Sequence, residues 1–267
     1  MARDSYGSDS YGSDSYGSDS FGADGWGSDW GDPDWAGPVA TTAEPAAAVQ
    51  DVHKTYVIED ERVEALKGID KEFPPGQVST IVGPSGSGKS SLLRILACVD
   101  RPTTGSVRVG GQEIGGLSVR KRRALRRTAV GYVFQNPVDN LVEYLRAAEQ
   151  VRLAAKLRGI KPDEAEIDRL LGVLGLTGRA DHLPVQLSGG EQQRLSFACA
   201  VIGRPAIVVA DEPTAELDSA SADRVLESVH DLRDEGVAFL LSSHDPRVVA
   251  STDHLLRLEH GEVVESW

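Results

Sequence analysis

VSTIVGPSGSGKSSL, residues 78–92, is the stretch on which the reading of the chain turns. Val78, Thr80 and Val82 alternate with Ser79 and Ile81, the period of a strand. A glycine-rich turn follows, and the residues from Lys89 onward suit a helix. Gly83, Gly88, Lys89 and Ser90 fit the phosphate-binding pattern G-x-x-x-x-G-K-[ST]. Glycines let the backbone curl until its N–H groups point at phosphate oxygens. The start of a helix near Lys89 adds its positive end. The Lys89 ammonium is expected to reach the β- and γ-phosphates, and the Ser90 hydroxyl to sit on Mg²⁺. The plainer alternative is a glycine turn in an α/β domain that holds no ligand.

Composition narrows the surroundings. The chain has 267 residues and a net charge of −13. The charge is uneven: residues 1–50 hold nine acids and one base, Arg3, and the remaining 217 hold 32 acids and 27 bases. An acidic total argues against general binding to nucleic-acid phosphates, so no nucleic-acid partner is expected. Cys98 and Cys199 are too few for a disulfide framework and fall in apolar helical stretches, which fits packing and a reducing compartment. No apolar run approaches membrane-spanning length, and the N-terminus lacks a basic region followed by an apolar one. A cytoplasmic protein is the expectation.

Residues 5–24 repeat a five-residue unit, SYGSD three times and then SFGAD. A period of five fits neither helix nor strand, and Gly, Ser and Asp cannot bury enough to offset ordering. Residues 1–47 therefore read as a disordered acidic tail. It is either an inert solubilising extension or a set of aromatic stickers for a basic surface.

Further along, Val49–Val57 reads as a strand and Val63–Leu66 as its antiparallel neighbour, with Tyr56 expected in the loop after the first strand, its ring free to stack on a purine. A helix is expected from Lys89 to about Val99, then a strand at Ser106–Val109. Arg120, Lys121, Arg122, Arg123, Arg126 and Arg127 crowd a short helix, most simply a solvated face, otherwise one that meets an anionic membrane or the acidic tail. Val130–Phe134 is a strand that delivers Gln135. Residues 141–158 and 163–175 have the apolar spacing of two helices. Leu187-Ser188-Gly189-Gly190-Glu191 precedes a long apolar helix read as Gln192–Ile202, and a serine with free N–H groups there makes a second anion site. Ala206–Ala210 is a buried strand with Asp211 and Glu212 at its carboxyl end, where ligands of open α/β sheets bind. One acid there can support a metal, and a second can deprotonate a water. Residues 219–234 form a helix, and Val237–Leu241 a strand that ends in Ser242-Ser243-His244. A hairpin around Gly261 closes the chain.

Residues 48–267 resemble the ATP-binding subunit of ABC transporters. Five motifs stand in that family's order: the phosphate loop Gly83–Ser90, Gln135, LSGGEQQR at 187–194, Asp211-Glu212 and His244. The resemblance implies an α/β fold: a P-loop NTPase core with a mainly parallel sheet, an antiparallel β subdomain, and an inserted helical subdomain at about 136–190. It implies that Tyr56 stacks on adenine. Gly83, Pro84, Ser85, Gly86, Ser87, Gly88, Lys89, Ser90 and Ser91 would hold the phosphates, with Ser90, Gln135 and Asp211 at Mg²⁺. Glu212 would be the general base, with His244, Gln135 and Lys89 as its catalytic company. Ser188, Gly189 and Gly190 would bind the γ-phosphate of ATP held by a second copy, with Asp218 at the interface. The implied partners are a twin, packed head to tail around two ATP, and an integral membrane permease docked near residues 136–150 on the inner face of the membrane.

KTY at 54–56, the pattern around Ala65–Asp70 and the ending soon after His244 resemble the MacB/LolD branch, whose relatives export lipids, lipoproteins, peptides or drugs. The FtsE-like alternative is a mechanochemical ATPase that regulates a membrane partner and moves no solute. Soluble relatives in DNA repair carry a long coiled coil between the first and third motifs, and those in translation carry two cassettes. Neither feature is present. Two departures bear on the dimer interface: Glu216 stands where the family has a small residue, and Cys199 where an arginine is common. An inert tail predicts that deletion of residues 2–40 leaves transport and localisation unchanged, measured as flux and by imaging of a tagged chain.

Overall fold

The computed structural model describes residues 44–267. The SYGSD repeats and almost all of the acidic tail lie outside the described residues. The chain opens with β1 (Ala47–Ile58) and β2 (Glu61–Phe73), then β3 (Val78–Val82) and α1 (Lys89–Leu96). It continues through β4 (Thr104–Val109), β5 (Gln112–Glu113), α2 (Val119–Ala129) and β6 (Val130–Val133). A helical stretch follows, α3 (Ala147–Leu157), α4 (Glu164–Val173) and α5 (Gly189–Val201). The end of the chain supplies β7 (Ile207–Asp211), α6 (Ser219–Asp234), β8 (Phe239–Ser242), α7 (Pro246–Ala250), β9 (His254–Glu259) and β10 (Glu262–Ser266).

Two sheets result. A four-stranded antiparallel sheet has the order β2-β1-β4-β5. A six-stranded sheet has the order β10-β9-β3-β8-β7-β6, parallel throughout except for the β9–β10 hairpin at its edge. Five parallel strands need both faces covered, because the crossovers lay helices on them. All five residues of β3 are buried accordingly, Ser79 and Thr80 included. Its polar–apolar alternation therefore does not mark a solvent face.

β1 begins at Ala47, ahead of the strand start expected at Val49. Ala46 and Ala47 are buried, and Ala47 pairs with both Phe73 and Val109. The alanines that read as tail are small residues closing the antiparallel sheet. Tyr56 is a second correction: it lies inside β1, opposite Val63, not in the following loop. The helix expected over 141–158 starts later, at Ala147, and Gln150 shows why. Its side chain accepts from Val142 N at 3.1 Å and donates to Val142 O and Leu145 O, holding 142–145 in a turn.

α5 begins at Gly189, three residues before the sequence reading. Ser188 and Glu191 form a reciprocal capping box: Glu191 N donates to Ser188 Oγ at 3.3 Å, and Ser188 N to Glu191 Oε2 at 2.8 Å. Such a box satisfies two of the free N–H groups of a helix start. Most of α5 is buried, so the helix runs through the interior rather than over it. The Phe197 ring meets Phe239 of β8 edge-on at 6.0 Å between centroids, and joins α5 to the parallel sheet. Phe197→Ala is expected to cost about 3–5 kcal/mol, the usual worth of a fully buried ring, read from urea unfolding.

Candidate functional site

Parallel register sets the site. Ile81 of β3 lies opposite Ser242 of β8, which lies opposite Asp211 of β7, and Val133 of β6 lies opposite Ala210. The four strands thus end level. Their carboxyl ends present the phosphate loop, Ser242-Ser243-His244, Asp211-Glu212 and Phe134-Gln135 side by side. This is the edge where open α/β sheets bind ligands.

The phosphate loop has the backbone its glycines allow. Gly83, Gly86 and Gly88 hold φ of 147°, 78° and 105°. A Cβ at Gly83 would meet Leu258 O at 2.1 Å, and one at Gly88 would meet Ala65 O at 2.4 Å, so neighbouring backbone excludes any side chain there. Among the described residues, a Cβ at Gly86 would meet nothing within 4 Å, so none of them closes that side of the loop. Ser87 is buried, and its Oγ finds no partner among the described residues. The Lys89 ammonium folds across the loop and donates to Gly83 O at 2.8 Å and Pro84 O at 3.0 Å. An open cradle, an unpartnered hydroxyl and a poised cation fit a polyphosphate. Ser85 and Ser90 are exposed beside it.

The acidic pair is pinned by Ser242, a residue that motif reading passes over. Its buried Oγ donates to Asp211 Oδ1 at 2.5 Å and accepts from Glu212 N at 3.0 Å. Its carbonyl also accepts from Glu212 N, at 3.2 Å. Glu212 has φ of 47°, a left-handed conformation that costs a non-glycine residue energy and recurs at functional sites. Glu212 Oε1 lies 3.0 Å from His244 Nδ1. With the proton on Nδ1, this nitrogen donates to the carboxylate and the other ring nitrogen faces outward. The pair lines an open cleft of about 280 Å³ with Thr214 and Ser243. A second open cleft of about 280 Å³ gathers Gln135, Asp139, Asp211 and Glu216. Glu216, the departure from the family pattern, thus stands beside Asp211 and Gln135.

Tyr56 belongs to a separate network. Lys54 Nζ lies 4.7 Å over its ring and donates to Asp100 Oδ1 at 2.8 Å, and the Tyr56 hydroxyl donates to Asp100 Oδ2 at 3.1 Å. The Asp100 carboxyl sits below the usual range: burial opposes the shift, and Lys54, Arg101 N and Tyr56 outweigh it. Asp218 caps α6, accepting from Ser221 N at 3.0 Å. Ser188 and Gly189 are exposed, and among the described residues no hydrogen bond joins 188–190 to the phosphate loop. Gly190 is required by packing, because a Cβ there would meet Ser221 Cβ at 2.9 Å. The fold therefore collects Lys89, Gln135, Asp211, Glu212 and His244 along one edge, and turns Ser188 and Gly189 to solvent.

The profile of the family described as "ABC transporter" matches residues 66–215. The chain belongs to the ABC transporter family. It is an ATP-binding and ATP-hydrolysing cassette. The cassette is 38% identical over 224 residues to the macrolide export ATP-binding/permease protein MacB of Escherichia coli strain K12, covering 83% of this chain and 34% of that protein. It thus spans about a third of the length of the curated relatives it matches. Among solved structures, it resembles the dimeric ATP-binding cassette MJ0796 in a post-hydrolysis state bound to ADP and Pi. The TM-score is 0.73 at 32% identity, over 83% of this chain and 97% of that one. It also resembles cbiO1 from Clostridium perfringens, part of the ABC transporter complex cbiONQ, with TM-score 0.73 at 26% identity over 84% and 88% of the two chains.

Electrostatics at the start of α5 can be tested. Arg179 Nε donates to Glu191 Oε1 at 2.8 Å, and with the Ser188 backbone it lowers the Glu191 carboxyl to about 2. A carboxylate depressed in the folded state stabilises above its unfolded pKa and loses that contribution as pH falls through the folded value. Glu191→Gln should therefore unfold roughly 2–4 °C below the parent at pH 7, the shift about 1 kcal/mol makes in a domain this size. Thermal melts should show the gap closing as pH falls from about 4.5 towards 2.

Proposed function

We propose that the cassette is the ATP-driven motor of an exporter, working as a head-to-tail dimer on the inner face of the membrane. The observation that carries this reading is the split site. The phosphate loop, Asp211, Glu212 and His244 share one edge, while Ser188 and Gly189 cap a helix whose free end faces solvent. A second copy placed by a two-fold axis brings each helix end to the other's phosphate loop, which makes two composite sites. The dimeric MJ0796 cassette supports this arrangement.

In this reading the loop from Gly83 to Ser91 cradles the phosphates through backbone N–H groups, and Lys89 exchanges its two carbonyl partners for phosphate oxygens. Tyr56 stacks on adenine, its ring held by Lys54 and Asp100. Ser90, Gln135 and Asp211 hold Mg²⁺, which when bound neutralises phosphate charge. Asp211 is oriented for this by Ser242. Glu212 accepts a proton from the attacking water. Its carboxylate is aimed by His244 and its backbone pinned by Ser242. His244 contacts the γ-phosphate through a ring N–H, because a phosphate oxygen only accepts. Asp218 helps fix the crossing loop by capping α6.

The permease is proposed to dock over residues 136–150. Exposed Val138 and Tyr144, with Phe134 just before them, offer apolar surface there. Closure around ATP moves this surface, and hydrolysis replaces attraction in the site by repulsion between products. The identity to MacB supports export as the direction.

Glu212→Gln is expected to lower ATP turnover by roughly 10²–10⁴, the usual worth of a general base, and to trap an ATP-bound dimer visible by size exclusion. Turnover near the parent rate would refute the role of Glu212. Lys89→Ala should weaken nucleotide binding itself, read by fluorescence titration.

A further inference from the structure

Arg158 is the C-cap of α3, and its guanidinium turns back into the domain. It donates to four carbonyls on three elements: Arg127 O and Thr128 O at 3.3 Å each, Val130 O at 3.1 Å and Ala200 O at 2.7 Å. Arg127 and Thr128 close α2, and Ala200 lies in the last turn of α5. The carboxyl ends of α2 and α5 thus meet one cation, where a helix carries the negative pole of its dipole. Among the described residues no carboxylate pairs with Arg158. The nearby Cys199 thiol, pushed up to about 12 by burial, stays neutral. Burial lowers Arg158 to about 10, and it remains charged at pH 7.

Two further features weld the same elements. A Cβ at Gly131 of β6 would meet Ala200 O at 2.5 Å, so strand and helix backbones lie in direct contact. At the other end, Gln193 Nε2 donates to Phe134 O at 3.4 Å. The strand that delivers Gln135 and the helix capped by Ser188 are therefore joined near both ends, with Arg158 at one of the joints.

We propose that Arg158 is a positioning residue for ATP turnover: it locks the Gln135 strand to the Ser188 helix, so that the two half-sites a protomer contributes keep one spacing. This rests on the composite-site reading above. Gln135 then serves the protomer's own ATP and Ser188 the twin's. A displacement at one nucleotide is carried to the other through the guanidinium.

The test uses the full chain. Arg158→Met keeps the stem and removes every donor. It is expected to lower kcat about tenfold to a hundredfold, the effect of a small misplacement far from the chemistry. KM for ATP and nucleotide binding by the monomer should stay within about twofold. In the Glu212→Gln background it should raise the ATP-dependent dimer Kd about tenfold. Arg158→Lys, a point donor in place of a planar fork, should recover the melting temperature but not the dimer affinity. Ile167→Ala, at a buried position of α4 away from the carbonyl cluster, is the control for loss of stability. The proposal is overturned if Arg158→Met dimerises as tightly as its parent, or if Ile167→Ala with an equal thermal loss weakens the dimer as much. Failure of Glu212→Gln alone to dimerise would instead bring down the composite-site reading, and this coupling with it.

Discussion

Parallel pairing sets Ile81, Ser242 and Asp211 level across three neighbouring strands, and the site exists because of that alignment. A slip of one residue would turn alternate side chains to the opposite face of the sheet. Ser242 would then no longer reach both Asp211 and the Glu212 backbone. The register is held by strands buried on both faces, so hydrophobic packing and the geometry of the site are one constraint here. That is why a hydroxyl sits in a strand end that is otherwise Phe239, Leu240 and Leu241.

The parts legible in the sequence are those where chemistry demands a residue type at fixed spacing. The phosphate loop, the LSGGEQQR stretch and the acids after AIVVA are of this kind, because backbone curvature, helix capping and strand ends leave few substitutes. α6 lies at 219–234, the bounds expected from the sequence. What could not be read depends on partners distant in sequence. Tyr56 looks like a loop residue until β2 is paired beside it, and its hydroxyl finds Asp100 44 positions away. Gln150 interrupts a helical pattern only because its amide folds back onto Val142 and Leu145. Ala46 and Ala47 read as tail because small residues carry little pattern, although two strands close over Ala47.

Ser242 and Arg158 were hidden for a similar reason. One is a small polar residue at the end of an apolar run. The other is an arginine just past a helix, where solvent is the usual expectation. Each is identified by the backbone groups that surround it, which no local window contains. Glu216 is the opposite case: it stood out as a departure, and the fold puts it in the cleft with Gln135 and Asp211.

The pose of Lys89 bears on the shape of the loop. The ammonium is satisfied by Gly83 and Pro84, two carbonyls of the very turn it serves. The loop is in effect propped from inside by its own lysine. In the proposed role, a polyphosphate trades one set of oxygens for another on a turn that its own lysine already braces, so little ordering entropy is left to lose at the moment of capture.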